Sequence, residues 1–390
     1  MSELRCFSLT SVEQLRDAAP AWDDLWWRSA TALPTVQAEL LAQWIERFKP
    51  RARFCTLVVA DAQRWLAALP LVGGRAGGLI SAGELPDNEW ATCGDLLVDA
   101  SIEPNVVMER LLEVAGRLPW PLLWLGGVMP ETSRWRAMMR ACRRVGASWC
   151  YHEWFRAARV EIDASWDDYQ RRLPKNHRQA MNRCLRRLRC EGDVQFEMTA
   201  PSDPVEIERW LDEAFHMENR GWKGMQGTSV LRRPGMASYF AAQAEQLARW
   251  GQLRTASLRL DGRLLAFVYG CSAKGVYFTH KIGYDPAMAA FSPGQLLFHA
   301  MLERLHEERT VRTLDFFGPI NQALSRWRPE SYGVGRLAIA PRRLLGRLAV
   351  LGYRRSWQRV GRWKELVSKL HEPAVSPSED TVPEPAGAPG

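Results

Sequence analysis

Apolar and polar positions alternate most regularly in the later part of the chain. Two alternating runs flank the dipeptide Asp261-Gly262, a turn sequence that predicts a β-hairpin. Further along, apolar residues recur at helical spacing from Ser292 onward, which predicts a helix. The other elements expected around these two signals are a strand over residues 276–280, a loop over 285–291 and a closing strand over 313–317.

An earlier part of the chain repeats this pattern in a weaker form. Residues 54–72 parallel 253–270, with a short turn between two apolar runs in each, and residues 93–128 parallel 280–319. Strands that alternate with helices in this way indicate an α/β sheet. A repeat offset of about 190 residues indicates two domains of one fold rather than a solenoid of short repeats.

The sequence therefore predicts an α/β (α+β) protein with two tandem domains, each a mixed twisted sheet flanked by helices. A C-terminal segment with apolar stripes separated by Lys and Arg predicts basic amphipathic helices. The last residues are rich in Pro, Gly and acid, which is typical of a disordered tail. The predicted divisions are an N-terminal domain at 1–160, a C-terminal domain at 161–340, the helices at 341–370 and the tail at 371–390.

Composition narrows the possible protein classes. Hydrophobic residues make up 46% of the chain and charged residues 25%, the balance of a globular protein. The N-terminus lacks the apolar run of a signal peptide, and no stretch approaches the roughly 20 apolar residues that a membrane helix needs. The eight cysteines are scattered without metal-ligand spacing, so neither disulfides nor a bound metal is expected. These features predict a cytoplasmic protein.

The start of the helix at Ser292 is the strongest candidate for a binding site. Residues 292–295, Ser-Pro-Gly-Gln, expose backbone N–H groups at the positive end of the helix dipole, which suits a phosphate. Residues 102–105 of the earlier repeat read Ile-Glu-Pro-Asn, where a carboxylate would repel an anion and no glycine allows close backbone approach. Ser before Pro is also common at an ordinary helix cap. The later repeat is the predicted active domain.

Three short motifs, taken in their order along the chain, resemble those of a known family. They are Glu218-x-x-Gly221-Trp222-Lys223-Gly224-x-x-Gly227-Thr228, Lys281-x-x-Tyr284-Asp285-Pro286 and Ser292-Pro293-Gly294. Over residues 166–327, which include a basic run at 175–189, the chain resembles the GNAT acyltransferase superfamily. Within it, the chain resembles the FemAB-like branch, the cellulose-biosynthesis-associated acetyltransferases. The resemblance implies two tandem GNAT-like domains, the first one degenerate, and direct acyl transfer from acetyl-CoA or another acyl-CoA.

The resemblance also implies roles for individual residues. Coenzyme A phosphates are expected to bind at the helix start, at Ser292, Gly294 and Gln295. Lys281 is also assigned to the donor, although a lysine there suits either a phosphate or an acidic acceptor. Acceptor contacts are expected at Trp222, Lys223, Tyr284 and Asp285. From the residues alone, an aspartate before a proline equally suits a turn cap.

Two carboxylates are candidate general bases. Glu218 borders an apolar helix stripe, where a carboxylate can serve as a base, but an ion pair with Arg220 or Lys223 is an equally good interpretation. Asp315 lies in an otherwise apolar strand, where an unpaired carboxylate is costly, so it needs a partner or a task. His177, in the basic run, is expected to be exposed.

The predicted function is acyl transfer, most simply of acetyl, to an amine or hydroxyl of a sugar, a polysaccharide precursor or an envelope metabolite. Two alternatives remain open. One is a Fem-like ligase that uses aminoacyl-tRNA, for which the basic residues 171–189 would be the tRNA-binding surface. The other is a non-catalytic scaffolding protein that contacts a membrane surface through residues 342–369. The acceptor, the acyl chain and the oligomeric state are not determined by the sequence.

Overall fold

The computed structural model describes residues 4–341 and 344–356. Thirteen strands are assigned within these residues: β1 (Arg5–Leu9), β2 (Phe54–Ala60), β3 (Trp65–Ala76), β4 (Ile80–Glu84), β5 (Leu97–Val98), β6 (Leu122–Val128), β7 (Ser148–Glu161), β8 (Val194–Thr199), β9 (Leu253–Leu260), β10 (Arg263–Ala273), β11 (Val276–Tyr284), β12 (Thr313–Pro319) and β13 (Glu330–Ala340).

The helices lie between these strands in chain order. They are α1 (Val12–Asp17), α2 (Ala19–Arg28), α3 (Ala38–Phe48), α4 (Pro104–Ala115), α5 (Ser133–Arg144), α6 (Trp166–Arg172), α7 (Lys175–Glu191), α8 (Pro204–Arg220), α9 (Trp222–Met225), α10 (Met236–Arg249), α11 (Pro293–Glu308) and α12 (Gln322–Ser325). Residues 344–356 are helical, while the rest of the predicted basic helices and the predicted tail at 371–390 lie outside the described residues.

All thirteen strands belong to one mixed sheet. Its order is β1-β2-β3-β4-β6-β13-β7-β12-β11-β10-β9-β8, with β5 paired to β3 off this path. Neighbouring strands are antiparallel except for two parallel pairs, β4 with β6 and β11 with β12. We refer to residues 4–161 as the first half and to residues 162–341 as the second half. The two parallel pairs occupy equivalent places in the two halves.

The two halves exchange strands at the centre of the sheet. β13 ends the second half but pairs with β6 of the first, while β7 ends the first half but pairs with β12 of the second. β7 and β13 also pair with each other along nearly their whole lengths, from Glu330 opposite Arg159 to Ala340 opposite Ser148. The described residues up to Val350 form one compact unit. The predicted domain division after residue 160 falls one residue before the end of β7 and stays a prediction.

The helices cover the sheet unequally on its two faces. On one face, α1 to α3 of the first half and α8 and α10 of the second half share a single hydrophobic core. On the other face, each half has its own core: α4 and α5 pack on the first half, and α6, α7 and α11 pack on the second. The helices of the first half therefore supply part of the apolar surface that buries this face of the sheet.

The hairpin predicted around Asp261-Gly262 is formed by β9 and β10. Both turn residues have positive φ angles, 49° and 78°, as a two-residue turn of this type requires. The strand predicted over residues 276–280 was too short, because β11 continues its ladder with β10 to Tyr284 beyond a bulge between Tyr269 and Gly270. The bulge places two residues of β11, His280 and Lys281, on the same face of the sheet.

Lys274 connects the two halves through a buried contact. Its Nζ donates hydrogen bonds to the carbonyl oxygens of Trp26, Ser29 (3.0 Å) and Thr31 (2.8 Å), three residues that are buried. Replacing it by alanine removes the donor from all three carbonyls. We expect Lys274→Ala to lower the free energy of unfolding by about 3 kcal/mol, measured by urea titration.

The control for Lys274→Ala is Lys49→Ala. Lys49 forms a partly exposed ion pair with Glu84 at 3.5 Å, so its loss is expected to cost less than about 1 kcal/mol. Equal losses in the two variants would contradict the structural role of Lys274.

Candidate active site

A gap opens in the sheet between β11 and β12. The two parallel strands pair only from Val276 opposite Thr313 to Phe278 opposite Asp315. Beyond this point β11 pairs with β10 alone, and the ladder of β12 with β7 shifts register before Pro319. The Thr279 hydroxyl donates a hydrogen bond to the Phe316 carbonyl at 3.0 Å where the strands separate. Past this point the rings of His280 and Phe317, one from each strand, stack with their centres 5.4 Å apart.

The N-terminus of α11 lies on the second-half core face, next to Tyr284 at the end of β11. Ser292 precedes the helix in a left-handed conformation, with φ 53°, and its side chain makes no capping hydrogen bond. Its carbonyl accepts hydrogen bonds from Gln295 N–H and Leu296 N–H. Within the described residues the N–H of Gly294 makes no hydrogen bond. The helix start therefore offers an open amide at its positive end, which suits an anion.

The predicted site residues around this helix start differ in whether their side chains are exposed or already hydrogen-bonded within the protein. Gln295 is engaged, since its Oε1 accepts a hydrogen bond from Trp327 Nε1 at 3.1 Å. Tyr284 is 44% exposed and lies near Gly294. Asp285 is buried: burial alone would raise its pKa, but hydrogen bonds from the Arg263 guanidinium and from Ala287 N–H hold the pKa below its usual range. Asp285 thus caps the loop before α11, as the alternative interpretation of its sequence indicated.

Asp315 points to the opposite face of the sheet. Its neighbours Leu314 and Phe316 pack in the second-half core, and successive strand residues alternate between faces. The carboxylate is only 7% exposed and accepts hydrogen bonds from Tyr332 Oη at 2.8 Å and from Phe317 N–H at 2.7 Å. Burial raises the pKa of Asp315 to about 6, although these two hydrogen bonds oppose the rise. A carboxylate with this pKa is mostly ionised at pH 7 and suits proton transfer.

Glu218 is buried and fully engaged by the protein. One oxygen accepts a hydrogen bond from Lys223 Nζ at 2.7 Å, and the other accepts one from Val230 N–H at 2.9 Å. Lys223 Nζ also lies 3.4 Å from the Ile282 carbonyl oxygen of β11. These contacts fix the segment after α8 against β11. The side chain of Trp222, in α9, lies outside what the structure describes.

Lys281 lies on the shared-core face, away from α11. Its Nζ is 4.4 Å from the ring centre of Trp90 in the first half and 5.1 Å from that of Phe240 in α10. Burial lowers the pKa of Lys281 to about 8, while the nearby Glu218 carboxylate opposes this change. The structure therefore separates Lys281 from Ser292, Gly294 and Gln295, with which the sequence interpretation grouped it, and places it on the face of Asp315.

Three residues of this site were not identified from the sequence. Tyr332 and Phe317 surround Asp315, and Phe317 has a positive φ of 52°, an uncommon conformation for a non-glycine residue. Trp90 belongs to the half without an anion-binding turn, so nothing local marks it. The expectation that His177 is exposed was wrong: it is 6% exposed and packs edge-on to Trp327, with ring centres 4.5 Å apart.

The described residues also lack two features that would suggest other functions. No group of three or more His, Cys, Asp or Glu side chains in that part of the chain is placed to hold a metal ion. None of the helices that the structure describes is long and apolar enough to span a membrane.

Comparisons with known proteins agree with this architecture. The sequence model described as the GNAT acetyltransferase domain matches residues 175–325. A search of the curated proteins finds no match. Among solved structures, FemX is similar with a TM-score of 0.56 at 10% identity, covering 86% of this chain and 96% of that one.

Two further solved structures have similar folds. A conserved protein of unknown function from Bacteroides thetaiotaomicron has a TM-score of 0.51 at 13% identity, covering 87% of this chain and 100% of that one. The C-terminal domain of a putative lysylphosphatidylglycerol synthetase from Agrobacterium fabrum has a TM-score of 0.51 at 13% identity, covering 86% and 95%. Such low identities show the fold alone. The predicted mixed α/β fold class is confirmed, and residues 175–325 are similar to the GNAT acetyltransferase domain.

Proposed function

We propose that the protein transfers an acyl group, most simply acetyl, from acyl-CoA to an amine or hydroxyl of a sugar, a polysaccharide precursor or a related envelope metabolite. One observation carries the proposal. β11 and β12 separate beyond Phe278 and Asp315, with the open N-terminus of α11 on one face of the sheet and Asp315 on the other. We propose that a donor whose phosphates bind at Gly294 presents its thioester where these strands separate, to an acceptor beside Asp315.

The proposed mechanism is direct attack on the bound thioester. The carboxylate of Asp315 takes a proton from the acceptor, whose nitrogen or oxygen then attacks the acyl carbon. The carbon–sulfur bond breaks, and the thiolate leaves and takes up a proton to give free coenzyme A. Asp315 is preferred to Glu218 as the base because its hydrogen-bond donors, Tyr332 Oη and Phe317 N–H, are neutral, whereas Glu218 forms an ion pair with Lys223 Nζ at 2.7 Å. Glu218 instead positions the segment after α8.

The first test is a calorimetric titration of the full chain with acetyl-CoA. We expect binding in the micromolar range, since an open helix N-terminus and its dipole stabilise a bound phosphate group. Titration with acetyl phosphate, which lacks the nucleotide and pantetheine, controls for non-specific anion binding and is expected to give much weaker binding. Absence of binding by acetyl-CoA and by longer acyl-CoA esters would overturn the proposal.

A second candidate function is favoured by the surface of α7. Its solvent-facing side forms a groove lined by Gln179, Asn182, Arg183, Leu185, Arg186 and Arg189. Arg187 packs over Phe291 at 5.1 Å, immediately before Ser292, so this basic helix runs beside the donor loop. An aminoacyl-tRNA donor would find a phosphate-binding surface here. Binding of tRNA without any binding of acyl-CoA would favour this candidate.

A further inference from the structure

Lys281 occupies a pocket that both halves of the protein build. Its strand, β11, belongs to the second half, as does Phe240 of α10. The opposite wall is Trp90, in the loop after β4 of the first half. That loop is held in place because Asn88 Oδ1 accepts hydrogen bonds from Trp90 N–H at 2.9 Å and from Ala91 N–H at 3.0 Å. These hydrogen bonds fix the backbone at Trp90, the wall that the first half contributes.

The charge in this pocket is not balanced by a contact. Within residues 4–341 and 344–356, no carboxylate oxygen lies within 4.0 Å of Lys281 Nζ. The nearby Glu218 carboxylate is bonded to Lys223 and to Val230 N–H, and Glu89 is exposed on the Trp90 loop. Aromatic rings stabilise an ammonium group, but a largely buried cation gains most from an anionic partner. The pocket therefore has an unfilled requirement for negative charge.

The position of the pocket identifies what would fill it. A bulge in β11 turns Lys281 to the face of the sheet that carries Asp315, opposite the donor loop at α11. A phosphate of the donor bound at Gly294 would lie on the other face. The ammonium group therefore faces the side from which the acceptor approaches.

We infer that Lys281 binds a carboxylate of the acceptor, so that the acceptor is a small acidic molecule such as a uronic acid or an amino acid derivative. This inference rests on the proposed function, because only acyl transfer makes the bound molecule an acceptor. The anion site itself does not depend on acyl transfer. It assigns the first half a direct role, because Trp90 forms a wall of the pocket. It also removes Lys281 from the residues that hold the donor.

The test uses pairs of compounds that differ chiefly in charge: D-glucuronate with D-glucose, and N-acetylglycine with N-acetylglycinamide. Binding to the full chain is measured by calorimetry with and without coenzyme A. We expect at least one of the carboxylates to bind about tenfold or more tightly than its neutral partner. Lys281→Met should abolish this difference, Lys281→Arg should keep part of it, and Lys175→Met, at an exposed lysine on α7, should leave it unchanged.

A chemical measurement keeps the test decisive if the Lys281 variants fold poorly. Reductive methylation of the wild-type protein is followed by mass spectrometry at each lysine. The favoured carboxylate should protect Lys281 at least about threefold, its neutral partner should not, and Lys175 should react equally in all samples. If neither carboxylate is preferred and neither protects Lys281, the inference is wrong.

The donor experiment separates this inference from the proposed function. Lys281→Met should bind acetyl-CoA within about twofold of wild type, because the inferred contact is with the acceptor. A loss of acetyl-CoA binding as large as that from a substitution at Gly294 would assign Lys281 to the donor and overturn the inference. Carboxylate binding that depends on Lys281 in a protein that binds no acyl-CoA would keep the anion site and remove the acyltransferase proposal.

Discussion

Gly294→Glu is expected to weaken acetyl-CoA binding by about 100-fold or more, to the limit of calorimetric detection. The substitution places a carboxylate at the positive end of α11, where it repels the donor phosphates and occupies the space next to the open Gly294 amide. A 100-fold change corresponds to about 2.7 kcal/mol. The measurement is the acetyl-CoA titration, repeated on the variant under the same conditions.

The structure offers reasons to expect that this variant folds. A Cβ atom at Gly294 would meet only Tyr284 Cδ1, at 3.8 Å, and Gly294 does not have a positive φ. The matched control is Asn105→Glu at the start of α4, the equivalent helix of the first half, which already carries Glu103. That variant should bind acetyl-CoA like the wild type. Equal loss in both variants would show a general charge effect and remove α11 as the donor site.

Asp315→Asn is expected to lower kcat for acyl transfer by about 100-fold, the usual scale of general-base catalysis. Asparagine keeps a hydrogen-bond acceptor for Phe317 N–H but cannot take a proton. Since the pKa of Asp315 is raised to about 6, the wild-type rate should increase with pH up to about 6 and then level off, because only the carboxylate form accepts the proton. This rise is the acidic limb of the profile of kcat against pH, and the variant should lose it. The measurement is kcat against pH with a saturating acceptor.

Two further variants separate this role from a structural one. In Tyr332→Phe the hydroxyl that donates to Asp315 is absent, so the pKa of Asp315 should rise and the acidic limb should move to higher pH. Glu218→Gln removes the ion pair with Lys223 but leaves Asp315 unchanged. Its rate is expected to fall less than that of Asp315→Asn, with the limb in its original place. If the limb follows Glu218 and not Asp315, the base assignment is wrong.

Local sequence predicted some features of the two candidate bases, Asp315 and Glu218, but not the partner of Asp315. A lone aspartate in an apolar strand indicated that Asp315 needed a partner or a task, because an unpaired buried carboxylate is costly. The partner, Tyr332, comes from β13 and could not be predicted, since β13 reaches Asp315 only through the strand exchange. Glu218 showed two equally good interpretations in sequence. Its distance of 2.7 Å from Lys223 favours the ion pair.

The sequence by itself determined the local elements and the helix start at residues 292–295. Turn residues, apolar periodicity and Ser-Pro-Gly act over a few positions, so the hairpin, α11 and the contrast with residues 102–105 could be predicted without a structure. The resemblance of residues 166–327 also anticipated the GNAT fold.

Only the tertiary structure decided how the two repeats combine. Strand order depends on pairing between distant segments, and each repeat alone is compatible with a sheet of its own. The exchange of β7 and β13 and the core shared by α1 to α3 with α8 and α10 join the repeats into one unit. A bulge in β11 then turns Lys281 away from the donor loop and towards Trp90. Such a reversal of face follows from one extra residue in a ladder, for which the sequence around Lys281 carries no local signal.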